Sequence, residues 1–162
     1  MNWIPAYIGL GSNLQDPPRQ VRRALEALAD LPSTRLVLRS SLYGSKPFGP
    51  VVQADFCNAV AGLLTRLAAA DLWGALRSLE QQLGREPAPE RWGPRLIDLD
   101  LLVYGSERRS DPALTLPHPG IAERNFVLRP LCDIAPDLMV PGLGRVAHLA
   151  SSVSAAGLWV CA

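Results

Sequence analysis

The stretch Arg91-Trp92-Gly93-Pro94-Arg95-Leu96-Ile97-Asp98-Leu99-Asp100-Leu101-Leu102 sets two carboxylates inside an otherwise apolar run. Leu96 to Tyr104 is short, apolar and bounded by Pro94 and Gly105, which reads as a buried strand. Side chains two apart on a strand point the same way, so Asp98 and Asp100 share one face. Like charges at that spacing repel, and a hard divalent cation with oxygen ligands relieves the repulsion. Upstream, Arg85, Arg91 and Arg95 are donors suited to phosphate. Carboxylates that hold a metal, beside arginines that hold phosphate, describe a site for a metal-bound nucleotide. The same residues also permit an internal salt-bridge network, Arg95 with Asp98 or Asp100.

The rest of the composition narrows the chemistry. A chain of 162 residues has room for one domain, 1–162, with a sizeable core. Its net charge of +1 gives no electrostatic case for nonspecific nucleic-acid binding. Lys46 is the only lysine among sixteen basic residues and stands before Pro47, outside any GxxxxGK[ST] pattern, which weakens a phosphate-loop or Schiff-base lysine. Cys57, Cys132 and Cys161 are odd in number and lack CxxC spacing, so they read as thiols of a reducing compartment, not as a zinc site or disulfide frame. No signal-like segment or membrane-length apolar stretch is visible, and the cytoplasm is the expected location.

Along the chain, Pro5 to Leu10, ending in Gly9-Leu10-Gly11-Ser12-Asn13, reads as a strand then a turn. Asp16-Pro17-Pro18 reads as an N-cap with proline in the first turn, followed by Val21, Ala24, Leu25 and Leu28 at helical spacing. Arg35 to Tyr43 and Phe56 to Leu64 read as strands. Asp71 is the expected cap of a helix carrying Leu72, Ala75, Leu76 and Leu79 and closed by Gly84. Glu86 to Gly93 is a polar, proline-rich loop, and Asn125 to Ile134 is a further helix ended by Pro136. Consecutive strands with short connections predict an α+β sandwich on a largely antiparallel sheet.

Four blocks in order then resemble the 6-hydroxymethyl-7,8-dihydropterin pyrophosphokinase family. They are Tyr7-Ile8-Gly9-Leu10-Gly11-Ser12-Asn13-Leu14; Ser41 to Gly49 continuing through Gln53 to Ala59; Leu83-Gly84-Arg85 with Arg91 to Asp100; and Leu116-Pro117-His118-Pro119 with Arg124 to Leu131. The resemblance runs from about Ala6 to Pro136, and the third block is its most specific part. It implies a ferredoxin-like fold, a mainly antiparallel sheet between helices. It also implies transfer of the terminal diphosphate of ATP to the hydroxymethyl group of the dihydropterin, with AMP released, in folate synthesis.

The resemblance also implies roles. Asp98 and Asp100 would hold two Mg²⁺ ions with ATP. Arg85, Arg95, Asp98 and Asp100 would be catalytic, and the two arginines would grip the phosphates, joined on the ATP side by Glu80, Trp92, Leu101, Thr115, His118 and Arg124. Phe56 and Phe126 would sandwich the pterin, with Asn58 reading its edge and Ser45 and Phe48 beside it. The loop Gly84 to Arg95 would close over ATP. His148 and the tail after Pro136 are given no functional role, and a monomer without nucleic-acid or membrane partners is expected. Two other readings are a catalytically silent ferredoxin-like module that binds pterin or nucleotide, and an RNA-binding sheet. The second wants exposed aromatics and a basic face, which an Asp-x-Asp pair opposes.

Overall fold

The computed structural model describes residues 2–47, 49–84 and 94–161. In chain order its elements are β1 (Ile4–Ser12), α1 (Pro17–Leu28), β2 (Thr34–Arg39), β3 (Tyr43–Ser45), β4 (Phe56–Thr65), α2 (Ala69–Gln82), β5 (Asp98–Tyr104), β6 (Arg109–Ser110), β7 (Thr115–Leu116), α3 (Asn125–Ile134), β8 (Met139–Val140), β9 (Gly144–Arg145), α4 (Val146–Ser151) and β10 (Leu158–Val160). The main sheet runs β10-β3-β4-β1-β5, with β2 also paired to β4. Its pairings are all antiparallel.

Helices cover both faces, so alternate residues of the central strands feed two cores. On one face Ala6, Ile8 and Leu10 of β1 and Cys57, Ala59, Ala61 and Leu63 of β4 pack with α1 and α2. The stripe Val21, Ala24, Leu25 and Leu28 of α1 is buried as its spacing predicts. On the other face Val60 and Leu102 pack with Val127, Leu128 and Leu131 of α3 and Val146 of α4. This is the expected α+β sandwich. Among the described residues no helix is long and apolar enough to cross a membrane.

Several local expectations need correction. The single strand expected over Arg35 to Tyr43 is two, because Ser40 interrupts it. The Val60 N–H donates to Ser40 Oγ at 2.9 Å, so a side chain replaces a regular ladder partner where β4 changes neighbours from β2 to β3. Asp16 does not cap α1 with its side chain: it sits at φ +65°, and its carbonyl accepts from Gln20 N–H instead. Asp71 is not the cap of α2, which begins at Ala69; Asp71 lies in the first turn, where its charge suits the helix dipole. Beyond those expectations, the tail after Pro136 forms β8, β9, α4 and β10, and β10 joins the main sheet.

Candidate active site

The site begins as a gap in the sheet. Gly11 of β1 lies between Asn58 of β4 and Asp98 of β5, and Gly9 lies between Val60 and Asp100. Glycines at these alternate positions leave no side chain between the amide and the carboxylates. A Cβ built on Gly11 would lie 3.3 Å from Asn58 Oδ1. The result is a cavity of about 370 Å³ on the α3 side of the sheet. Nine of the residues singled out from the sequence line it: Ser45, Phe56, Asn58, Arg95, Asp98, Asp100, His118, Arg124 and Phe126.

Asn13 holds the backbone of Arg95, which lines the cavity. The asparagine is 3% exposed. Its Oδ1 accepts from Arg95 N–H at 2.8 Å, and its backbone N–H donates to the Arg95 carbonyl at 3.0 Å. Its Nδ2 donates to Gln53 Oε1 and to the Ala54 carbonyl. One amide therefore ties the end of β1, which runs on to Ser12 where a glycine turn was expected, to the start of the acid-bearing strand and to the loop before Phe56. That is a physical use for the asparagine of the first block which its sequence context did not disclose.

The acids sit on an edge strand whose outer side is satisfied by side chains. Glu80 Oε2 accepts from Leu99 N–H at 2.7 Å, Arg77 Nη2 donates to the Leu99 carbonyl, and Arg77 and Glu80 pair at 3.3 Å. Together they stand in for a neighbouring strand at the residue between the two aspartates. Glu80, expected near the nucleotide, is 3% exposed and does not line the cavity. Arg77, which sequence reading missed, does line it. The available signal was an arginine placed i−3 to an acid on an apolar helix, which also describes an ordinary surface pair.

Asp98 and Asp100 share a face, as the two-residue period requires. The Asp100 carboxyl is pushed up to about 7, first by burial and then by the charge of Asp98, against the pull of Arg77 and Arg124. Its side chain is 29% exposed, and that exposure faces the cavity. An acid held this way gains from extra positive charge. Two carboxylates on one face of β5 could hold a hard divalent cation such as magnesium, which takes oxygen ligands.

His118 is held neutral. Its imidazole is lowered to about 4, by burial first and by Arg124 next. Nδ1 accepts from Gly120 N–H at 3.1 Å, so the ring proton is on Nε2, which points toward Asp100 Oδ2 at 4.0 Å. At neutral pH this is a donor aimed into the cavity, not an ion pair. Arg124 precedes α3 and packs where a Cβ on Gly120 would lie, 2.6 Å from its Nε. Thr115 lies outside this cavity. It lines a neighbouring one of about 400 Å³ with Arg108, Leu116 and Leu143, and His118 is common to both. The Leu101 side chain is buried in the core on the opposite face.

At the other end, Ser45, Phe56, Asn58 and Phe126 converge. Asn58 Nδ2 donates to Ser45 Oγ at 2.7 Å and to the Tyr43 carbonyl at 3.4 Å. The carbonyl can only accept, which fixes the amide orientation and leaves Oδ1 over Gly11. Lys46, beside β3, and Val127, on α3, also line this end and were not among the expected residues. Arg85, Trp92 and Phe48, and most of the loop expected to close, lie outside the described residues.

The raised Asp100 carboxyl has a consequence for stability. An ordinary aspartate titrates near 3.8. Folding therefore favours the protonated form, and the stability it contributes is complete below that value. It declines as pH rises and is gone once pH passes about 7. In EDTA, the unfolding midpoint of the parent should fall between pH 5 and 8 more than that of Asp100→Asn, and the variant should be the more stable at pH 8. Parallel curves in calorimetry would refute this.

Comparisons with known proteins point one way. Residues 7–136 match the family model described as 7,8-dihydro-6-hydroxymethylpterin-pyrophosphokinase (HPPK). The 2-amino-4-hydroxy-6-hydroxymethyldihydropteridine pyrophosphokinase of Pseudomonas aeruginosa is 49% identical over 135 residues, covering 83% of this chain and 83% of that protein. The Haemophilus influenzae protein of that name is 46% identical over 146 residues, 90% of this chain and 91% of the relative. The folic acid synthesis protein fol1 of Schizosaccharomyces pombe is 39% identical over 136 residues, but these are only 18% of its length. Among solved structures, wild-type Plasmodium falciparum HPPK-DHPS superposes with a TM-score of 0.71 at 12% identity. That match covers 92% of this chain and 41% of that one, a likeness of fold.

Proposed function

The chain belongs to the 7,8-dihydro-6-hydroxymethylpterin-pyrophosphokinase family, and from that premise we propose that its cavity transfers diphosphate from ATP to 6-hydroxymethyl-7,8-dihydropterin. AMP leaves, and the product serves folate biosynthesis. The observation that carries this reading is the glycine floor. It sets a charged end, with Arg95, Asp98, Asp100, His118 and Arg124, which suits metal-bound phosphate, beside an aromatic and amide end, with Phe56, Asn58 and Phe126, in one cavity.

The pterin is flat and bears hydrogen-bonding edges. Phe56 and Phe126 supply apolar ring faces, and Asn58 Oδ1 accepts from an N–H of its edge. The hydroxymethyl oxygen is then directed across Gly11 toward the carboxylates. It attacks the β-phosphorus, the bond from that phosphorus to the α–β bridging oxygen breaks to release AMP, and the hydroxyl proton leaves to a phosphate oxygen or to water. Such transfers depend on alignment and charge neutralisation more than on a covalent protein intermediate. Arg95 and Arg124 donate to phosphate oxygens, and the Nε2–H of His118 adds a neutral donor. His118 is a poor base, because its lowered pKa keeps it a weak proton acceptor. Asp98 and Asp100 would hold magnesium, which, when bound, neutralises phosphate charge. The second cavity, reached past His118 and lined by Thr115, suits the nucleoside half of ATP.

Incubating the protein with ATP, Mg²⁺ and 6-hydroxymethyl-7,8-dihydropterin should convert pterin and ATP to product and AMP in equal amounts. Chromatography that finds ADP rising in step with pterin loss would overturn the proposal. Tight pterin binding without AMP would instead favour the silent binding module.

A further inference from the structure

We propose that the C-terminal segment Ser154–Cys161 is a positioning strap that sets the distance between the two walls of the pterin-binding half; this rests on the function proposed above. The segment lies beyond residues 7–136, the extent of the family match. On one side it completes β3. Leu158, Trp159 and Val160 pair with Ser45, Gly44 and Tyr43. The ladder is extended at both ends: Lys46 N–H donates to the Gly157 carbonyl at 3.1 Å, and Cys161 N–H donates to the Leu42 carbonyl at 2.8 Å.

On the other side the segment is tied to the start of α3. Asn125 Nδ2 donates to the carbonyls of Ser154 at 2.9 Å and Ala156 at 3.0 Å. Asn125 is flanked by Arg124 and Phe126, both of which line the cavity; Ser45 and Lys46 line the wall opposite. One short peptide therefore bonds to both walls without lining the cavity itself. Three residues of strand would be a weak edge alone, and β10 supplies their second partner. Ser45 is also the acceptor that orients Asn58, so play in β3 passes to the amide that reads the ligand edge.

The fit is close enough to make the strap specific. A Cβ on Gly44 would lie 2.2 Å from the Trp159 ring, so only glycine lets Trp159 lie flat over β3. The Lys46 Nζ sits 5.5 Å from the centre of that ring. Gly157 has φ +72°, a conformation side chains rarely adopt, which turns the segment from Asn125 toward β3. Errors of about 1 Å in such supports are enough to degrade a bound geometry.

The test compares the full chain with Asn125→Ala, Gly44→Ala and a chain ending at Val153. Calorimetry gives Kd for the ATP analogue alone, and for the pterin in its presence. Asn125→Ala and Gly44→Ala should raise the pterin Kd by about tenfold or more and leave the nucleotide Kd within about twofold. The truncated chain should behave the same way, and a peptide of residues 154–162 added in trans should restore pterin binding. Hydrogen exchange without ligand gives a separate reading: in Asn125→Ala the amides of Tyr43 to Lys46, on the far wall, should exchange faster. Parallel loss of both affinities with a fallen unfolding midpoint would make the segment merely structural and overturn the strap, as would an unchanged pterin Kd. Failure of the unaltered chain to bind pterin would instead refute the proposed function, and the exchange result would still decide whether the two walls are coupled.

Discussion

Asp98→Asn and Asp100→Asn should each lower kcat by two to three orders of magnitude while the chain stays folded. The carboxamide keeps the shape and removes the charge. A metal at a developing phosphoryl charge contributes several kcal/mol to the transition state, and a loss of ~3–4 kcal/mol is a factor of about 10²–10³ in rate. Folding should survive because the pair is destabilising to itself: the Asp98 charge helps to hold Asp100 protonated. Strand β5 is retained by its pairing with β1 and by Glu80 and Arg77 at Leu99. The measurement is steady-state kinetics across a magnesium titration, with the unfolding midpoint as the control. An Asp98→Asn enzyme with parental kcat and parental magnesium dependence would remove the acids from the mechanism.

Phe126→Ala should weaken pterin binding by about a hundredfold and leave binding of an ATP analogue nearly unchanged. Ring stacking contributes about 1 kcal/mol beyond area burial, and burying one face of a flat ligand adds ~2 kcal/mol at ~25 cal/mol per Å². The sum, ~3 kcal/mol, is roughly two decades in Kd. Phe126 also packs partly against the core shared by α3 and α4, so truncation will cost some stability. Phe126→Leu separates the two roles. It keeps most of the apolar volume and loses the aromatic face, so its unfolding midpoint should return toward the parent while pterin binding stays weak. Calorimetry showing equal losses for both ligands would reassign Phe126 to the core.

Elements whose evidence is periodic were legible in the sequence. Asp98 and Asp100 share a face because a strand turns its side chains over every two residues. The buried stripe of α1 follows from its helical spacing, and α3 spans Asn125–Ile134 as read. These are properties of the local backbone and hold before any other segment arrives. The family blocks extended that reach, and the acids, Arg95, His118, Arg124, Phe56, Asn58 and Phe126 meet around one cavity.

Other features depended on which segment ends up beside which. Gly9 and Gly11 matter because register places them between Asn58 and Asp98 and between Val60 and Asp100; their neighbours in sequence say nothing of that gap. Asn13 grips Arg95 from 82 positions away. Glu80 and Arg77 serve Leu99 only because β5 lies at the edge of the sheet, with outward backbone groups still to be satisfied. Read locally, Glu80 is a solvated helical charge, and in the fold it is buried. The tail has weak patterning and no motif, yet it bonds to both β3 and Asn125. Which face a side chain takes within its own element is legible from residue order alone, because it follows from backbone geometry. The tertiary structure decided which elements adjoin and which backbone groups need a side-chain partner, because hydrogen bonds between distant segments exist only once the sheet has chosen its order and register.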